Sequence, residues 1–150
     1  ISWNKGVTMI KTFRGLIADG AQDTIVLHTN NGSTGYRIVK FEILPRVPGT
    51  VSQEDIVKIY TVQQTSIDGV IDFSDDTLLA AAFYSDGADN YPGESVIIVD
   101  GMVFNQDIYV THADVVGTDP CNYYIELEQV KLDLNENTVT TLKNLRTIPH

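Results

Sequence analysis

Basic charge is scarce, cysteine nearly absent and long apolar runs missing, and each shortage removes a class of function. Ten Lys and Arg stand against 20 Asp and Glu, a net charge of −10, and the densest basic stretch, Lys143 to Arg146, holds only two charges. A field of that sign repels phosphate backbones and anionic lipid surfaces, so neither nucleic acid nor a membrane is an expected partner. The single cysteine, Cys121, has no second thiol in the chain to bridge to. Beside the strand-forming residues of CNYYIELEQV it reads as a small buried hydrophobe, because a reactive thiolate needs an electropositive neighbour and the sequence gives no particular histidine that place. No run approaches the roughly 20 apolar residues that span a bilayer. The start of the chain lacks the basic and apolar regions of a secretory signal, so the expectation is a protein made and used without crossing a membrane by the Sec route.

The motif-borne chemistries are missing as well. No G-x-S-x-G elbow offers a serine nucleophile, and no G-x-x-x-x-G-K-[ST] or G-x-G-x-x-G loop offers a phosphate cradle. His28, His112 and His150 lie far apart, without the paired spacing of a zinc site. These shortages point to a protein that is not an enzyme and carries no cofactor.

What is present is strand chemistry. At 150 residues the chain has the size of one domain able to bury a core without staples. From Met9 to about Lys131, runs rich in Val, Ile, Tyr, Phe and Thr alternate with Gly, Asp, Asn and Pro clusters. The strands predicted are residues 10–17, 23–29, 35–44, 55–62, 77–85, 95–99, 102–113 and 122–132. The run 77–85 has a rival reading as a short helix capped by Ser74, Asp75 and Asp76, with Phe83 and Tyr84 favouring the strand.

Period-two alternation assigns faces. Tyr123, Ile125 and Leu127 share one face against Tyr124, Glu126 and Glu128, and Val39, Phe41 and Ile43 oppose Ile38, Lys40 and Glu42. Asp100-Gly101 reads as a hairpin turn joining 95–99 directly to 102–113, and Asn30-Asn31-Gly32-Ser33 joins the second strand to the third. Asp68-Gly69 and Asp86-Gly87 mark other reversals, while the loop between 44 and 55, with Pro45, Pro48 and Gly49, is long enough to change sheets. The fold expected is an all-β antiparallel sandwich of jelly-roll type with about eight strands, since an open sheet of that size leaves long edges unprotected. It occupies residues 9–132. Residues 133–150, with Val139, Leu142 and Leu145 at helical spacing, form a short C-terminal helix or an arm lying on a neighbour.

Candidate sites are few, and each has an ordinary rival. His112 and Asp114, two apart at a strand end, can face the same way and share a proton or a metal, or be plain surface polarity. The loop YSDGADNYPGE offers Asp86, Asp89, Asn90 and Glu94 as hard oxygen ligands for calcium, without EF-hand spacing, and solvated turn residues are the competing identity. Tyr91 in that loop is a candidate exposed aromatic contact for a glycan. Glu126 and Glu128 share a face, but no carboxylate pair among 20 acidic residues stands out for sugar hydrolysis.

The first eight residues, ISWNKGVT, have no place in the strand pattern. Lys5-Gly6-Val7 can be encoded by AAA GGA GTN, which reads as a ribosome-binding site just upstream of the Met9 codon, so residues 1–8 are expected to be a non-native extension.

The stretches VFNQDIYVTHAD (103–114) and CNYYIELEQVKL (121–132), with the opening MIKTFRGLIADGAQDTIVL and the ending TTLKNLR, resemble the small β-rich structural proteins of tailed phages of marine bacteria. The resemblance implies a virion component assembled in the bacterial cytoplasm, such as a head decoration protein bound to the major capsid protein as an oligomer or a lattice element. It carries no residue-level signature. The alternative function is a carbohydrate- or receptor-binding sandwich module, acting with or without calcium.

Overall fold

The computed structural model describes residues 9–29, 32–49, 52–86 and 93–132. Eight strands follow in chain order: β1 (Ile10–Ile17), β2 (Gln22–Ile25), β3 (Thr34–Pro45), β4 (Glu54–Tyr60), β5 (Leu78–Ser85), β6 (Glu94–Val99), β7 (Ile108–Asp114) and β8 (Cys121–Lys131). They form two antiparallel sheets, one ordered β1-β8-β3 and the other β2-β7-β4-β5-β6. Among the described residues there is no helix, so the run at 77–85 takes its strand reading. The sandwich and its strand number agree with the pattern in the sequence. The division into three and five strands does not by itself establish a jelly roll. The expected C-terminal helix or arm and the N-terminal extension lie outside the described residues.

Alternation builds the interior. In β8 the odd positions Cys121, Tyr123, Ile125 and Leu127 are buried and the even ones half-exposed. Across the sheet Ile125 stands opposite Phe13 of β1 and Phe41 of β3, and against this row pack Val57, Ile59, Ala80, Ala82, Ile108 and Val110 of the five-stranded sheet. Tyr123 also carries a polar link between layers, donating its hydroxyl to Asp23 Oδ2 of β2 at 2.9 Å. Its ring lies over Gly15, where a Cβ would come within 3.1 Å of the ring.

Three expectations are corrected. The alternation in β3 breaks at a register shift between Ile38 and Lys40. Val39 is the residue turned outward there, so Ile38 and Phe41 are both buried and the faces predicted for Val39 and Ile38 are exchanged. A bulge of one residue resets a period of two, and nothing in the composition of RIVKF marks it. Asp100-Gly101 is not a hairpin. Strands β6 and β7 are not neighbours, because β5 and β4 stand between them, and the Asp100 side chain instead accepts the Met102 N–H in a local turn. Residues 102–107 accordingly belong to a crossover rather than a strand, tied by the bridge of Tyr36 to Phe104 and by Asp107, whose Oδ1 accepts the N–H groups of Leu27 and His28. Likewise β2 and β3 lie in different sheets, so the two strands do not form the hairpin expected of them. The connection from β3 to β4 does change sheets, as expected of the loop between 44 and 55.

The long connection between β4 and β5 lies on the outer side of the larger sheet. Lys58, nearly fully buried, donates from Nζ to the Val70 carbonyl and pairs with Asp68 at 3.4 Å. That buried ammonium fastens residues 68–70 to the sheet. The Asp68 carboxyl sits below its ordinary pKa, chiefly because it accepts the Val70 N–H.

Candidate functional site

Strands β4 and β7 pair with Asp55 opposite Asp114 and Val57 opposite His112. Residues 55, 57 and 59 of one strand and 110, 112 and 114 of the other therefore face the core, and Asp55 and His112 are diagonal neighbours on that face. His112 Nε2 and Asp55 Oδ1 are 2.8 Å apart, and both side chains are 0% exposed. Gln53, also buried, donates from Nε2 to Asp55 Oδ1 and to the Pro120 carbonyl, each at 3.0 Å. From the opposite sheet Cys121, the first residue of β8, brings its thiol to the same place. One ligating atom each from Asp55, His112 and Cys121 lies within 4.8 Å of the others.

The electrostatics follow from this enclosure. Burial alone would lower the His112 pKa, but the hydrogen bond and charge of Asp55, with the Ala18 carbonyl and Asp19 adding to them, carry it above its ordinary value. Burial pushes the Cys121 thiol far up, and the Asp55 carboxylate beside it pushes the same way. The surroundings thus favour the protonated form of the imidazole and the neutral form of the thiol.

His112 and Asp114 do share a face, yet they do not act on one another. Asp114 is occupied by the backbone: Oδ1 accepts from Glu54, Val116 and Gly117 and Oδ2 accepts from Asp119, at 3.0 to 3.2 Å. Its carboxylate shapes the turn that leads into Cys121. The partner of His112 is Asp55, which the sequence did not single out; the signal for it was an acidic residue on the apolar phase of DIVKIY. Burial of Cys121 agrees with the sequence reading, but the reading missed the histidine beside it.

Of the loop candidates, Asp89, Asn90 and Tyr91 lie outside the described residues. Asp86 Oδ2 accepts the Gln53 N–H at 3.1 Å, and Glu94 opens β6 opposite Ser85. Glu126 accepts the Tyr124 hydroxyl at 2.6 Å and Glu128 pairs with Arg37. Both lie on the central strand of the smaller sheet, not on an edge.

Strand β6 is the edge of the larger sheet, and its residues are exposed on both faces, Val96, Ile97 and Ile98 by 47%, 38% and 48%. On the outer side of the smaller sheet, a groove of about 590 Å³ is lined by Arg14, Leu16, Glu42, Leu44, Asn122 and Tyr124.

No family model matches the chain, and no curated protein matches its sequence.

Proposed function

We propose that this chain is a non-enzymatic structural protein of a virion, a capsid-associated subunit that works by strand addition at β6 to a second copy of itself. The observation that supports the reading is the β6 edge. Among the described residues it has no strand on its outer side, and its sequence ESVIIV is apolar, β-branched and free of the Lys, Pro or bulge that normally blunts such an edge. A two-fold antiparallel pairing keeps each side chain on its own face of the sheet, so it would set Ile97 against its own copy, Val96 against Ile98 and Ser95 against Val99, and β-branched side chains would meet. Two sheets would merge into one continuous layer, leaving the rest of the subunit to contact the capsid.

Light scattering across a concentration series is expected to give a dimer that Ile98→Lys converts to a monomer with unchanged circular dichroism. Ile98 is on the same face as Ala81 but half-exposed, so the substitution adds charge at the edge with little cost to the interior. A parent chain that stays monomeric at every concentration would refute the pairing. Washed particles from the source should hold the chain in a fixed ratio to capsid subunits, and its absence there would refute the virion role.

A second reading, a glycan-binding module, is favoured by the groove on the smaller sheet. Tyr124 offers an aromatic surface flanked by the Arg14 cation, the Glu42 carboxylate and the Asn122 amide, which is the mixture that sugar hydroxyls and ring faces use. Binding on a glycan array that disappears in Tyr124→Ala is the expected result under this reading. An array without signal for the parent removes it.

A further inference from the structure

A hydrogen-bonded ion pair does not account for the whole of the interior cluster. Asp55 Oδ2 and His112 Nδ1 make no hydrogen bond of ordinary geometry: the Cys121 thiol lies against the Asp55 carboxylate and the Ala18 carbonyl beside the imidazole, and these are all that they have. Leaving a buried polar atom poorly paired costs on the order of 1–3 kcal/mol, and the Cys121 sulfur contacts the Asn122 carbonyl at 3.4 Å as well as the Asp55 carboxylate. A thiol serving merely as a small hydrophobe has no need to sit against a carboxylate.

We propose that Asp55, His112 and Cys121 form a buried three-ligand site for one divalent transition-metal ion of zinc type, bound through carboxylate oxygen, imidazole nitrogen and thiolate sulfur. The ligand set argues the class of ion. Thiolate with imidazole selects zinc or cobalt, whereas calcium and magnesium take oxygen alone. Spacing agrees with this. His112 Nε2 and Asp55 Oδ1 at 2.8 Å are within half an ångström or so of the roughly 3.3 Å that separates two ligands on a tetrahedral ion with bonds of about 2.0 Å. The ion would take the place of the proton between them. Charge also balances, because a dication offsets one carboxylate and one thiolate, leaving a neutral set in a low-dielectric interior. Gln53, bound to Asp55 Oδ1 and anchored to the Pro120 carbonyl, orients the carboxylate as outer hydrogen-bond partners of metal ligands do. The ligands come from β4, β7 and β8, so the ion would join the two sheets at one end of the sandwich. This inference is independent of the β6 reading.

The test uses the full chain, stripped with a chelator and loaded with Co²⁺, both folded and during refolding from urea, since the ligands are sealed from solvent. One equivalent of Co²⁺ is expected to produce a thiolate-to-cobalt charge-transfer band together with the visible bands of a tetrahedral ion, and Zn²⁺ should abolish both by competition. Because the chain has one cysteine, the charge-transfer band reports this site alone. Cys121→Ser, a near-isosteric change, should fold, lose that band and bind Zn²⁺ at least tenfold more weakly, while His28→Asn at the exposed histidine should leave both unchanged. Absence of the band in the folded and the refolded parent, or Zn²⁺ affinity equal in Cys121→Ser, overturns the proposal.

Discussion

Replacing Asp55 by alanine is expected to destabilise the chelator-treated protein by about 3–5 kcal/mol, the range found when one member of a buried pair is removed and the other charge is left behind. The argument starts from enclosure. Asp55 and His112 are both sealed from water, and the hydrogen bond and charge of Asp55 favour the protonated imidazole against the effect of burial. Without the carboxylate, a protonated His112 must shed its proton or stand as an uncompensated cation, and the Gln53 amide loses one of its two acceptors. The double variant Asp55→Leu with His112→Leu removes both charges and fills the space with hydrocarbon, so it should regain most of the loss. Urea unfolding followed by circular dichroism checks both. A midpoint for Asp55→Ala close to the parent's would show that the pair is hydrated in solution.

Ile125→Ala is expected to cost about 2–5 kcal/mol, in the upper half of that range. Ile125 is fully buried on the central strand of the smaller sheet, with Phe13 and Phe41 directly opposite on either side. The strand is bonded along both edges, so it cannot move inward to fill the space, and the cost of a cavity depends on how far its walls relax. Val26→Ala serves as the comparison, since Val26 is 65% exposed and a surface change of that kind shifts stability by about 0.5 kcal/mol or less. The dependence on urea concentration should keep its slope in both variants. An Ile125→Ala midpoint indistinguishable from that of Val26→Ala would contradict the packing described.

The strands were legible because period two survives in single runs such as NYYIELEQV, where burial of one face writes itself into every second residue. Pairing was less so. Asp100-Gly101 has the chemistry of a tight reversal, yet a turn of that chemistry also opens a crossover, and only the position of β5 and β4 between β6 and β7 decides which it is. Val39 shows the same limit, since a bulge changes face assignment without changing composition. The cluster of Asp55, His112 and Cys121 draws on three separated runs, so no local spacing joins them. Its one sequence trace was polarity where the alternation called for hydrocarbon, at Asp55 ahead of Val57 and Ile59 and at His112 after Ile108 and Val110.

The last strand described lies between the first and the third in the smaller sheet. A growing polypeptide that has not yet reached Cys121 has nothing to place between Phe13 and Phe41, and half of its interior stays open to water. Completion of this layer must therefore wait for a strand made more than 75 residues after its neighbour β3 ends, which makes the nascent chain dependent on late, distant pairing and susceptible to premature association during synthesis.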